Sequence, residues 1–281
     1  MHARRAFAVL LALVVAAVVL ATATAGTGVA AARDTNSDLE RVSKSGEELA
    51  KSSGAKFRGT TTTAGSDAKV TFDGSFDFEN RAGEYSVDVA SIGLQGRGKV
   101  KVLLVGGVMY LSLNALEGGD AASNPALAGK KWLKLDPQVF GGGGEIGQSD
   151  PKGSLDALRG AKSVKRVRSE NVRGTSTTRY RVTIDAQQAV DNAPENQRAE
   201  VRNSVAALGS DTIPADVWVD GKGRLRKERL HIAESPTNAK GTVAFEYFDL
   251  GAGVHVEEPP AGEAIDFLEV LGESPTTGGS G

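Results

Sequence analysis

Residues 213 to 232, IPADVWVDGKGRLRKERLHI, read as two extended runs on either side of Asp220-Gly221-Lys222-Gly223. In the first run Ile213, Ala215, Val217 and Val219 alternate with Pro214, Asp216, Trp218 and Asp220, the period of a strand with one buried face. The glycine-flanked turn then returns the chain antiparallel into Leu225 to Ile232. Leu225 and Leu230 have opposite parity, which predicts either a bulge or a strand covered on both faces. Nothing in the hairpin is an obvious catalytic group.

Outward from this hairpin the same alternation recurs. In KVTFDGSFDFE (69 to 79), Val70, Phe72, Phe76 and Phe78 alternate with Lys69, Thr71, Asp73, Ser75, Asp77 and Glu79. Tyr85, Val87 and Val89 follow the pattern, then Val100, Val102 and Leu104 with Lys99, Lys101 and Leu103 between them. Gly106-Gly107 turns the chain into Met109, Leu111 and Leu113, and Lys131 to Leu135 is a short strand halted by Asp136-Pro137. Val164 to Val172 and Thr178 to Asp185 form a hairpin around Arg173-Gly174, with Tyr180, Val182 and Ile184 on one face. Val243 to Leu250 closes the series.

Helical periods interrupt the strands. Ser37-x-x-Glu40 is a capping box, and Leu39, Val42, Gly46 and Leu49 predict one amphipathic helix that ends at Gly54. Asp150-Pro151 opens a short helix with Leu155 and Leu158 inward and Gly160 closing it. A helical stretch interrupted at Pro194 carries Val201, Val205 and Leu208 before Gly209 stops it. Ile265 and Leu268 predict a last short helix after Pro259-Pro260. Glu117 to Lys130 reads as a loop, Gly141 to Gly144 as a mobile one, and the tail TTGGSG as disordered. The fold class expected is α+β, an antiparallel sheet with helices on its apolar face.

The N-terminus carries a basic segment, HARR, an apolar run from Ala6 to Leu20, and Ala30-Ala31-Ala32 as a small-residue cleavage site. That is a secretory signal over residues 1 to 32, with an uncleaved anchor as the rival, because the run stretches to Ala25. A single domain is expected over residues 33 to 270. The chain has 281 residues, no cysteine and a net charge of -2. Disulfides, thiol nucleophiles and Cys-ligated metals are therefore excluded. A nucleic-acid partner is not expected either, for want of a concentrated basic face. The densest basic segment, Lys162 to Arg168, includes Val164 and Val167 and reads as a solvated strand.

Catalytic constellations are sparse. His2 lies in the signal, His231 shares its parity with Lys227 and Arg229 and reads as solvated, and His255 sits near the Pro-Pro pair. Neither Gly-x-Ser-x-Gly nor His-Glu-x-x-His occurs, and no nucleophile, base and orienting group can be nominated together. The expectation is no enzyme, no cofactor and no metal. Trp218 has the parity of Asp216 and Asp220, so it projects away from the core, covered by a loop or terminus or exposed for a partner or lipid surface.

Four segments, GKKWLKLDP (129 to 137), DPKGSLDALRGA (150 to 161), VRGTSTTRYRVTID (172 to 185) and IPADVWVDGKGRLRKERL (213 to 230), together with the order of elements, resemble the actinobacterial LppX/LprG-type envelope lipoproteins. Their fold is similar to that of the LolA/LolB lipoprotein carriers. The resemblance covers roughly Ser37 to Leu250. It implies a strongly curved antiparallel half-barrel over a few short helices, with a hydrophobic cavity for the acyl chains of lipids or lipoglycans. On that basis Val70, Phe72, Phe76, Phe78, Tyr85, Val87, Val89, Val100, Val102, Leu104, Tyr180, Val182, Ile184, Val217 and Val219 are the expected lining. The protein would be secreted or at the cell surface, peripheral to the membrane. Lipoproteins of this type carry a Cys after the apolar run, and this chain has none. A second expectation keeps the fold with a filled core and makes the protein an adaptor or sensor for an envelope partner, through Trp218 or the Gly141 to Gly144 loop.

Overall fold

The computed structural model describes residues 34–65, 69–88, 98–114, 127–135, 155–206, 208–234 and 240–271. Outside them lie the segment 1 to 32, Val89, most of the 117 to 130 loop, Gly141 to Gly144, Asp150-Pro151 and the tail. Among the described residues, no helix is long and apolar enough to cross a membrane.

The strands are β1 (Gly54–Thr63), β2 (Lys69–Asp77), β3 (Ala82–Asp88), β4 (Lys99–Val105), β5 (Val108–Ser112), β6 (Trp132–Leu135), β7 (Ala161–Val172), β8 (Thr175–Asp185), β9 (Thr212–Asp220), β10 (Leu225–Ile232), β11 (Gly241–Phe248) and β12 (Ala264–Asp266). They form one curved twelve-stranded sheet in the order β12-β6-β5-β4-β3-β2-β1-β11-β10-β9-β8-β7. Almost every neighbour pair is antiparallel, as hairpin connections require. The exception is β12, which lies parallel to β6 with Ile265 opposite Leu133. Ile265 is thus a strand residue, and the helix expected there begins only at Phe267.

The helices are α1 (Asp34–Ser43), α2 (Ser45–Ala50), α3 (Ala186–Asp191), α4 (Arg198–Ala206) and α5 (Phe267–Leu271), with one helical turn at residues 155–160. The single leading helix expected from Ser37 is two helices that break at Lys44, and the first already runs from Asp34. Gly54 does not end it. Ser53, at φ 65°, makes the left-handed turn, and Gly54 opens β1, where a Cβ would come within 2.4 Å of the Ala252 carbonyl oxygen. Asp185 caps α3 by accepting from the Gln188 amide. Pro194 separates α3 from α4, as the missing amide demands.

Turn chemistry agrees with the sequence. Gly106-Gly107 and Arg173-Gly174 all have positive φ, the conformation that joins tightly twisted strands. The parity clash in the opening stretch is resolved by a bulge, because the register between β9 and β10 shifts between Leu225 and Lys227. β7 begins at Ala161, earlier than Val164, and carries two further irregularities. Such features, with its many charged side chains, blunt an edge strand against unwanted pairing.

Candidate functional site: the inner face of the sheet

Cross-strand register places one continuous row along the inner face. It runs Arg166, Tyr180, Val217, Glu228, Phe245, Gly59, Phe72, Val87 and Val100, from β7 to β4. Gly59 stands where an apolar side chain would be expected, and the Phe72 ring fills its place: a Cβ there would lie 1.9 Å from the ring. Phe57, Phe72, Tyr85 and Phe245 form an aromatic cluster around this point, with centroids 5.6 to 6.3 Å apart.

Of the expected lining residues, Phe72, Phe76, Tyr85, Val100, Val102, Tyr180, Val182, Ile184, Val217 and Val219 are buried in one core cluster. Val70, Phe78, Val87 and Leu104 pack against that cluster but stay partly exposed, as does Leu111. The buried group spans the sheet, with Phe72, Phe76, Tyr85, Val100 and Val102 on β2 to β4 and the other five on β8 and β9. Tyr180, Val182, Ile184, Val217 and Val219 on β8 and β9 are at most 1 % exposed. They lie under helices, for α1 packs on β7, α2 on β10, and α3 on β7 and β8. The half-exposed residues lie on the same β2 to β4 and on β5, with Phe78 in the turn just after β2. Among the described residues, no helix makes its principal contacts with those strands, and α5 packs mainly beside β6 and β12.

Two polar features of the inner face carry no signature in the residue pattern. Asp38 on α1 is 5 % exposed and accepts from Arg166 through Nη2 at 2.8 Å and Nε at 3.2 Å, and from the Tyr180 hydroxyl at 3.2 Å. The fork-to-carboxylate geometry fastens α1 across the sheet edge. Burial, then the Asp38 charge, raises the Tyr180 hydroxyl above the ordinary phenol range. Glu228, fully buried, accepts from the Tyr247 hydroxyl at 2.9 Å. Sequence parity places Glu228 on the same face as Leu230, but an alternating strand gives no warning that a carboxylate will be inward.

The outer face also differs from expectation in detail. Trp218 is 3 % exposed, and what surrounds it is charged side chains. Its indole donates to Glu170 at 2.7 Å, while Arg179, Lys227 and Arg229 stand 5.1 to 5.8 Å from the ring centroid. A buried indole cannot present itself to a partner, so that role for Trp218 is withdrawn. Leu103, with outward parity, is buried beside Tyr110. The Tyr110 hydroxyl donates to Glu258 in the C-terminal stretch, which crosses this end of the sheet. Burial, then that carboxylate, raises the Tyr110 hydroxyl too. His231 lies 3.4 Å from Asp216 on the same face. Among the described residues, no group of three or more His, Asp or Glu side chains is gathered as a metal site would need.

The arrangement is a curved, mainly antiparallel sheet whose apolar inner face is only partly covered by short helices, and in this it resembles the LppX/LprG-type envelope lipoproteins. No family model matches the chain. It is 31 % identical over 175 residues to an uncharacterised 31.2 kDa protein of Streptomyces griseus, covering 58 % of this chain and 56 % of that one. A putative lipoprotein of Streptomyces coelicolor is 27 % identical over 154 residues, with 52 % and 45 % covered. The chain thus spans about half the length of the curated relatives it matches. Among solved structures, the Mycobacterium tuberculosis lipoprotein LppX aligns over 79 % of this chain and 99 % of its own, with a TM-score of 0.48 and 16 % identity.

Proposed function

We propose that this chain is a non-catalytic lipid-binding protein of the cell envelope or its exterior, which holds acyl chains against the inner face of β2 to β5. One observation carries the reading: the apolar inner face extends beyond the helices that pack on it, leaving Val70, Phe78, Val87, Leu104 and Leu111 partly exposed among the described residues. Each methylene removed from water contributes about 0.8 kcal/mol, so a hydrocarbon chain of ten or so carbons gains enough to stay bound without a polar contact. The fifteen-residue lining expected from the sequence is accordingly narrowed. The β8 and β9 members are wall behind the helices, Phe72, Phe76, Tyr85, Val100 and Val102 are buried support on β2 to β4, and the partly exposed Val70, Phe78, Val87 and Leu104 face the acyl chain. The similarity to a putative lipoprotein supports a place in the envelope.

Mass spectrometry of an organic extract from the purified protein tests this. Stoichiometric acylated lipid is expected. A lipid-free extract, with no acyl probe taken up from solution, would remove the proposal and leave the filled-core adaptor for an envelope partner.

A further inference from the structure

On the outer face of β7 to β10, the register builds a field of positive charge. One row runs Arg168, Arg179, Trp218, Lys227 and Glu246, and the row beside it runs Lys165, Arg181, Asp216 and Arg229. The carboxylates in this field are already engaged. Glu170 takes Arg168, Arg179 and the Trp218 indole. Asp216 takes Arg179 and His231, and Glu246 takes Lys227 and Arg173. Lys165, Arg181 and Arg229 remain outside every ion pair among the described residues, although Arg229 stands over the Trp218 ring. Lys165 and Arg181 are exposed and Arg229 half-exposed.

We propose that this field, centred on Lys165, Arg181 and Arg229, docks the protein on an anionic phospholipid bilayer. Strands lie about 4.8 Å apart, so the three cations spread over roughly 14 Å of the sheet's outer side, from β7 to β10. Cations spaced along an open outer face meet a surface of many phosphates; they do not wrap one solute. Trp218, held under its charged neighbours, contributes no inserted ring. The contact is therefore electrostatic and salt-sensitive. It lies on the side of the sheet opposite the acyl-chain face, so it stands or falls independently of that site.

The test compares the full chain on phosphatidylcholine vesicles with and without phosphatidylglycerol, by co-flotation. The apolar N-terminal run and the arginines before it contribute equally in every variant, so the comparison between variants isolates the charge of the outer face. The wild type is expected to prefer the anionic vesicles, and to lose the preference at about 1 M salt, where the screening length is about 3 Å. The triple variant Lys165→Gln, Arg181→Gln, Arg229→Gln is expected to reduce the preference roughly 100-fold, at about fivefold per cation. A control removing three exposed cations elsewhere, Lys69→Gln, Lys99→Gln and Arg202→Gln, changes net charge equally and is expected to keep most of it. Equal loss in both variants, or retention in the first with its thermal transition unchanged, overturns the proposal. Saturable binding of inorganic phosphate that displaces the vesicles also overturns it, by making the site one for a free anion.

Discussion

At the scale of single residues, the Glu170 carboxylate shows how the outer face stabilises itself. The Trp218 indole donor, followed by the Arg168 donor, lowers its pKa from 4.5 to about 2. A carboxyl whose folded pKa is depressed adds stability that is fully present above the unfolded value and is lost as pH falls toward the folded one. For Glu170 the window runs from 4.5 down to about 2. Glu170→Gln is therefore expected to melt below the wild type at neutral pH, with a gap that narrows from pH 4.5 and closes near pH 2. Thermal melts of both proteins across that range check it. A gap that stays constant with pH would mean that the Glu170 charge contributes nothing.

At the scale of elements, β1 shows where legibility ends. The opening hairpin, β2 to β5 and the β7–β8 hairpin follow from alternation and turn glycines. β1 escapes because its inner face reads Ala55, Phe57, Gly59 and Thr61, with a glycine where the apolar period should continue. The missing bulk arrives from across the sheet, as the Phe72 ring, and a single strand's sequence cannot announce a side chain lent by its neighbour. β12 was hidden for a related reason: three residues in parallel pairing with β6 depend on a long-range meeting, and Ile265 and Leu268 fit a helical period equally well. The inner carboxylates Asp38 and Glu228 were concealed within a capping box and a charged strand. The apolar face was legible; the partial exposure of Val70, Val87, Leu104 and Leu111 on it was not, because that depends on which strands the helices reach. Gly59→Ala follows from the same geometry. The added methyl would meet the Phe72 ring at 1.9 Å, and that ring is boxed by Phe57, Tyr85 and Phe245. The cost is expected to be about 1–3 kcal/mol in denaturant unfolding. Adding Phe72→Leu should return part of it, so that the double variant is more stable than the two single losses summed. Strict additivity would place the ring elsewhere.

At the scale of the whole molecule, the sheet divides its labour. The β7 to β11 portion is fastened to helices, with the Asp38 clamp at its edge, and the inner apolar side chains of β8 to β11 are buried. The β2 to β5 portion carries the same apolar periodicity with less above it. A bulky side chain should therefore behave differently in the two portions. Val217→Trp intrudes on a wall with no accessible surface and is expected to destabilise by at least 1–3 kcal/mol. Val87→Trp, opposite Phe72 and Val100 on a partly exposed position, is expected to fold with a transition near the wild type. Its indole would occupy about three methylenes' worth of the acyl-chain space, ~2.4 kcal/mol, and reduce lipid retention roughly 50-fold. Thermal melts and quantified lipid extracts of both variants decide the matter. If Val87→Trp unfolds as readily as Val217→Trp, the inner face is filled from edge to edge and has no room for a lipid. If it folds and keeps its full lipid load, the acyl chain lies somewhere other than against β3.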